Sequence, residues 1–543
     1  MTATAGLPDD LVSWVEEVGG GRLALADRKQ GGARKEAWFV DLERPDGTTA
    51  HLFLRYDRSD PARTKDPWTL HREASVYLAL QDGPVPVPRV LGVHPVHQAM
   101  LAERVSGENW FSRISDPAEQ EATARDFITK LAALHSLDAA TLDLPAFPPV
   151  RTVADAVRAE LDEWDRVLAD RGGAPDPALA FSLRWLRRHV PDYDGPPVLV
   201  QGDTGPGNFM YADGRVTAVV DWELAHLGDP MDDIAWLSLR ATQEPLPDFP
   251  ARLREYAALS GNAIDEGRVH YYQVMAETKL QVMGHRPEAA GTGSADTDVG
   301  NAFIYQVLHR RLWLEALATA TGLVLTPVEE PRARDRSDHD WMYDAVLAQL
   351  RDVIVPRTTD PLAAARGKGV ARLIKYLGRV DTYGASSEAL ELDDLEVLLG
   401  RRPGSVASGR AAAADAAASG TIGDEAYLGV LCGTGPTWWR RERAVRCRPR
   451  PAARRAHVPH VRPRGRRLPR RGDDGPLVGD RDLLVLVERA RAEFGRVDVL
   501  PGPAQRRPVQ RRRLGLGRQR CPAVGARLPG RVLGPAAAAP WGA

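Results

Sequence analysis

The chain has 543 residues, 43% of them hydrophobic, and a formal net charge of −1. That is too long for one ordinary domain and apolar enough to fill real cores. No run approaches the roughly 20 apolar residues of a membrane span, and Met1 to Asp10 lacks a basic, hydrophobic leader pattern. A cytoplasmic, soluble protein is expected. Its cysteines, Cys432, Cys447 and Cys521, all lie late in the sequence, which excludes disulfides and thiolate metal sites from everything before them.

Arg22 to Asp27, Ala37 to Leu42 and Ala50 to Arg55 read as three strands. Between the first two lies Gln30-Gly31-Gly32-Ala33, where glycine lets backbone N–H groups approach an anion closely. The third strand ends on a cation, Arg55. Leu70, Ala74, Tyr77 and Leu78 define a helix face that Glu73 borders. Ala99 to Val105 reads as another strand, and Gly107 ends this β-rich part.

The pattern then turns helical. Ala122 to Leu137 carries Phe127, Leu131, Leu134 and Leu137 on one face, and His135 there is expected to pack structurally. Residues 153–170 and 177–189 continue as amphipathic helices. Next comes Gln201-Gly202-Asp203-Thr204-Gly205-Pro206-Gly207-Asn208, followed by two β-prone runs around the turn Ala212-Asp213-Gly214. Folding these runs into a hairpin brings Asn208 and Asp221 side by side at its open end. Two such oxygen ligands, completed by phosphate and water, suit Mg²⁺. Gly228-Asp229-Pro230-Met231-Asp232-Asp233 then opens a helix, which Asp229 and Asp232 are placed to cap. Residues 249–260, 266–284 and 298–321 read as further helices.

The segment from Gln201 to Asp221 resembles a kinase catalytic loop with its second metal-binding Asp. The chain is similar to the aminoglycoside phosphotransferase family of kinase-like enzymes, nearest to the phosphotransferase domains related to those beside acyl-CoA dehydrogenases. The family usually has His-Gly-Asp where this chain has Gln201-Gly202-Asp203. The resemblance implies an α+β, protein kinase-like bilobal fold, with an N-lobe over 1–107 and a helical C-lobe over 108–328. It implies Asp203 as catalytic base, with Asn208 and Asp221 as Mg²⁺ ligands. Gly31, Gly32, Arg55, Glu73 and the hinge residue Glu103 would bind the nucleotide, ATP or GTP. It implies that Asp229 helps brace the catalytic loop. The later helices would form much of the acceptor pocket, with Tyr271, Tyr272, Glu277 and Lys279 as candidate lining residues. The implied reaction is γ-phosphoryl transfer to a small-molecule hydroxyl, a hydroxyacyl-type metabolite ahead of an aminoglycoside. The alternatives are a catalytically silent nucleotide-binding module, or a bifunctional protein with a vestigial NAD(P) dehydrogenase segment.

Pro327, Glu329, Glu330 and Pro331 interrupt the helical pattern. Beyond them, 341–356, 360–383, 387–399 and 410–419 read as helices, giving an all-α accessory domain over 337–431 that could hold a protein partner. It resembles the small helical domain often encoded next to such phosphotransferases. From residue 421 onward the chain holds 27 arginines against 10 acidic residues and no lysine. Aromatics are scarce there and no binding module appears, so nucleic acid is not expected as a partner. The tail, 432–543, has too little patterned apolar surface to fold and is expected to be largely disordered. One island, Asp482 to Leu500, resembles a helix and strand of a short-chain dehydrogenase. The NAD(P)-binding motifs that should follow it are missing, as in a gene read partly out of frame.

Overall fold

A computed structural model describes residues 6–29, 35–59, 67–173, 176–285, 299–323 and 331–430. The first helix, α1 (Asp9–Gly19), was not anticipated; it lays Leu11 and Val15 on a sheet. That sheet contains β1 (Arg22–Lys29), β2 (Glu36–Glu43), β3 (Thr49–Asp57), β4 (Val90–Val93) and β5 (Gln98–Glu103) in the order β1-β2-β3-β5-β4, all antiparallel. Leu42, Leu52, Leu54 and Leu101 alternate into the face under α1, as a period of two requires. The register sets Ala37 opposite Arg55 on the other face. The helix α2 (Leu70–Leu80) follows, capped by Thr69, whose hydroxyl accepts from Arg72 N at 3.2 Å.

The larger part is helical. It comprises α3 (Pro117–His135), α4 (Val153–Arg171), α5 (Pro177–Arg188), α6 (Pro230–Arg240), α7 (Phe249–Ser260), α8 (Glu266–Gly284) and α9 (Val299–Thr321). Two short ribbons interrupt the helices: β6 (Val198–Val200) pairs with β9 (His226–Gly228), and β7 (Phe209–Ala212) pairs with β8 (Arg215–Val219). The expected hairpin is the second of these, turning at Asp213 (φ 50°) and Gly214 (φ 75°). Its core is aromatic, with Phe209 stacked on Phe127 at 4.4 Å. A small antiparallel sheet followed by a helical lobe is the kinase-like arrangement.

After residue 330 come α10 (Asp340–Gln349), a π-turn (Leu350–Ile354), α11 (Val355–Arg357), α12 (Pro361–Leu399), α13 (Val406–Ser419) and α14 (Asp424–Gly429). The two helices expected over 360–383 and 387–399 are one, α12. No proline breaks Ala385-Ser386-Ser387, and Ser387 is buried within the run. Phe303 of α9 meets Tyr376 of α12 at 4.4 Å, and Phe181 of α5 stacks on Tyr427 of α14 at 4.8 Å. Among the described residues, no helix is long and apolar enough to cross a membrane. Gly31, Gly32, the tail and its dehydrogenase-like island lie outside the described residues.

Candidate active site

The loop after β6 is held by one carboxylate. Asp233, fully buried on α6, accepts from Gln201 N at 2.8 Å, Gly202 N at 2.9 Å and Thr204 Oγ1 at 2.5 Å. His135 Nε2 lies 3.0 Å away, and its Nδ1 lies 2.6 Å from Tyr256 Oη. Burial works against the Asp233 charge, but these partners outweigh it and hold the carboxyl below its ordinary value. The implied brace was Asp229. That residue instead caps α6 through Met231 N at 2.9 Å and pairs with Arg268. The capping proline fixes Asp229 at the helix start, so the residue one turn further on faces the loop. Asp232, the other expected cap, meets His226 at 3.1 Å and Lys279 at 3.2 Å. His135 is structural, as expected, and its structure serves this loop.

Gln201 ties the loop to the following strand. Its Oε1 accepts from Asp203 N and Thr204 Oγ1, each at 3.0 Å. Its Nε2 donates to Asp221 O at 2.8 Å and Val220 O at 3.2 Å. Gly202 turns with φ 81°, where a Cβ would lie 2.4 Å from Leu224 O, so only glycine fits.

Asp203, Asn208 and Asp221 come together as expected. Asn208 Nδ2 donates to Asp203 O at 2.7 Å and to Asp203 Oδ2 at 2.8 Å. Val220 N donates to Asn208 O at 2.9 Å, which closes the hairpin beside Asp221. Asp221 sits at φ 63°, a left-handed conformation rare outside glycine and common at functional turns. Its Oδ1 is buried and accepts no hydrogen bond. Burial pushes its carboxyl up to about 7; Arg55 opposes that, while Glu223, Glu73 and Asp203 add to it. An all-oxygen donor set in a carboxylate-crowded corner, with one buried oxygen unsatisfied, fits a hard divalent cation.

The cations lie across from these groups. Arg55 Nη1 is 3.4 Å from Glu73 Oε1 and 3.5 Å from Asp221 Oδ1. Sequence reasoning missed Lys35. It is 3% exposed, and its Nζ lies 3.0 Å from both Glu73 Oε2 and Glu223 Oε2. The signal was available: Lys35 precedes Ala37 by two residues, and Ala37 pairs with Arg55, so alternation puts both cations on one face. Arg55 Nε and Glu73 Oε1 are buried without hydrogen-bond partners. The helix α2 is latched to the Asp221 segment as well. Arg72 donates to Ala225 O at 2.5 Å and Glu223 O at 3.3 Å, and Tyr77 Oη accepts from Asp221 N at 3.1 Å. Glu103 ends β5 at the sheet margin, where its N–H donates to Arg89 O at 2.9 Å.

Of the four residues offered for the acceptor pocket, three belong to the core. Tyr271 Oη donates to Leu186 O at 2.9 Å, Tyr272 is buried, and Lys279 Nζ lies 2.6 Å from Glu160. Lys279 also neutralises Glu160 and Asp232, which with His226 form a cluster of metal-ligand type. Glu277 is buried too, but it supports His309 of α9, with both carboxylate oxygens 3.2 Å from Nδ1. Arg240 was not anticipated. It grips Asp203 with two nitrogens, Nε at 2.8 Å from Oδ1 and Nη2 on Oδ2. Its place at the far end of α6, 37 residues from Asp203, leaves no local signal.

Residues 29–271 match the model of the phosphotransferase enzyme family. Acyl-CoA dehydrogenase family member 11 of Rattus norvegicus is 34% identical over 125 residues, 23% of this chain but only 16% of that protein. A Ralstonia eutropha JMP134 protein described as an aminoglycoside phosphotransferase is 22% identical, covering 57% of this chain and 97% of its own, with a TM-score of 0.45. A mutant of aminoglycoside phosphotransferase APH(4)-Ia, solved with ADP and hygromycin B, is 17% identical. It covers 57% of this chain and 98% of its own, with a TM-score of 0.41.

Proposed function

We propose that this chain transfers the γ-phosphoryl group of ATP, or GTP, to a hydroxyl of a small molecule, with Mg²⁺. The observation that carries the reading is the meeting of Asp203, Asn208 and Asp221 opposite Arg55, Lys35 and Glu73, with buried polar atoms on both sides left unsatisfied. Phosphoryl transfer asks for little else, since positioning and charge neutralisation do most of the work. Arg55 and Lys35, both aligned by Glu73, face the nucleotide phosphates; Gly31 and Gly32, which fall between β1 and β2 in the sequence, would add backbone N–H groups. The end of β5 at Glu103 meets the base. Asn208 and Asp221 hold the metal, which screens phosphate charge when bound. Asp203 orients the acceptor hydroxyl and takes its proton as the oxygen attacks phosphorus and the bond to the nucleoside diphosphate breaks.

Among acceptors, we favour a hydroxyacyl-type compound over an aminoglycoside. The relatives include acyl-CoA dehydrogenase family members, of which this chain spans only a small part. The test pairs two variants. Asp203→Ala is expected to abolish transfer while leaving Mg-nucleotide affinity within about threefold, and Asp221→Ala to weaken that affinity by about tenfold or more. Retained turnover in Asp203→Ala would overturn the assignment.

A further inference from the structure

The acceptor side of Asp203 has a character of its own. Arg240 binds both oxygens of Asp203, and its Nη1 also donates to Pro206 O at 3.1 Å. Its side chain keeps 28% of its surface accessible and that of Asp203 keeps 23%, so this pair is not sealed in the core. His309 of α9 is held by Glu277, whose carboxylate oxygens lie 3.2 Å from Nδ1. Burial disfavours the imidazolium, but the Glu277 carboxylate more than compensates and raises the His309 pKa, with Asp203 and Arg240 both in electrostatic reach. Tyr305, one turn before His309, stacks on its ring at 6.2 Å and is half exposed. The carboxylates nearby have other partners. Glu277 is committed to His309, and Glu244 accepts from Ser112 N at 3.1 Å. What remains toward an incoming acceptor is one permanent cation, Arg240, whose fork Asp203 now occupies.

We propose that Arg240 is the acceptor-recognising residue of this site, and that it serves a hydroxylated compound bearing an acidic group. A guanidinium fork matches a carboxylate or phosphate in two parallel hydrogen bonds. An acid arriving on the acceptor can take over the fork that Asp203 now occupies. Asp203 is then released to accept from the acceptor's hydroxyl, so that recognition and exposure of the base become one event. An acceptor bearing ammonium groups gains no such exchange and meets Arg240 as a like charge. The proposal rests on the phosphotransferase reading, and its test separates the two.

Mg-nucleotide binding is measured first on the full chain. Turnover is then measured with short- and medium-chain hydroxy acids, their matched neutral hydroxy amides and the polycation kanamycin. The expected result is a preference for acid over amide of about tenfold or more in kcat/KM, the range of one charge-assisted hydrogen-bonded pair. Arg240→Gln should erase that preference and Arg240→Lys should keep its direction, with nucleotide affinity unchanged in both. Equal or better turnover of amides or kanamycin would overturn this proposal and leave the phosphotransferase reading standing. Failure of the wild-type chain to bind Mg-nucleotide would sink that reading and this one with it. An Arg240→Gln variant that folds and still prefers acids would overturn the role of Arg240 alone.

Discussion

Two halves of one short segment behave in opposite ways. On one side of the Gln201–Asn208 loop, Asp233, Gln201, Thr204 and His135 satisfy one another through buried hydrogen bonds. On the other, Asp221 Oδ1, Glu73 Oε1 and Arg55 Nε are buried with no hydrogen-bond partner. Native interiors rarely leave such groups unpaired. The saturated half is scaffold, complete without a ligand. The unsatisfied half carries destabilising charge crowding that a ligand would relieve. Stability and function therefore divide across about twenty residues of chain.

The largest effect expected of that division is in folding. Asp233→Ala removes a fully buried carboxylate and strands two backbone N–H groups and a histidine. It is expected to cost about 3–5 kcal/mol in urea unfolding. Asp221→Ala should change unfolding of the metal-free protein by about 1 kcal/mol or less, yet remove the stabilisation that Mg-ATP confers. Equal costs from the two variants would erase the distinction. Acidity should separate them too. The depressed folded-state pKa of Asp233 gives a contribution that is present above its ordinary 3.8 and lost as pH falls through the lower folded value. Asp221 has the opposite sign: its folded pKa of about 7 lies above the ordinary 3.8, so its contribution is present below 3.8 and lost as pH rises through 7. Metal-free Asp221→Asn should therefore lose less stability than wild type between about pH 4 and about pH 7. Parallel pH profiles would break the assignment.

A middle-sized effect concerns Lys35. It pairs with Glu73 at 3.0 Å, against 3.4 Å for Arg55, and with Glu223 at 3.0 Å. Lys35→Met is expected to weaken Mg-ATP binding about tenfold, the worth of one charge-assisted contact. A double-mutant cycle with Glu73→Gln, read by nucleotide titration, should show a coupling of about 1–2 kcal/mol. Additive losses would mean that Lys35 only fills space behind the phosphate site.

The sequence made periodic and contiguous features legible. Three strands, the helix bearing Glu73, and the hairpin joining Asn208 to Asp221 follow from alternation, helical spacing and one Asp-Gly turn. Arg55 and Glu73 came as nucleotide-binding residues from the resemblance, and the structure sets them 3.4 Å apart. What was not legible depends on which side of a helix faces a distant loop. Asp233 and Asp229 are both acids of one motif, and only the axial rotation of α6 decides which of them meets Gln201. Arg240 reaches Asp203 from the far end of a helix 37 residues along the chain, where nothing local points to it. The single helix over 361–399 was divided in two because serine and glycine weaken a helix without ending it.

The smallest expected effect tests the one departure from the family's loop. Gln201 holds two carbonyls with its amide nitrogen and two donors with its amide oxygen. A neutral imidazole donates through one nitrogen and accepts through the other, so histidine can keep one bond on each side and loses the second. The bonds it gives up are the longer one to Val220 O and one to Thr204, whose hydroxyl still reaches Asp233. Gln201→His is thus expected to cost about 1 kcal/mol or less in stability and to change kcat by less than about threefold, whereas Gln201→Ala should cost about 2 kcal/mol. A rise in kcat of orders of magnitude in Gln201→His would show that glutamine holds the loop in shape while leaving Asp203 misaligned for transfer. That outcome would move the loop from the saturated, purely supporting half of the site into the half that waits on its ligand.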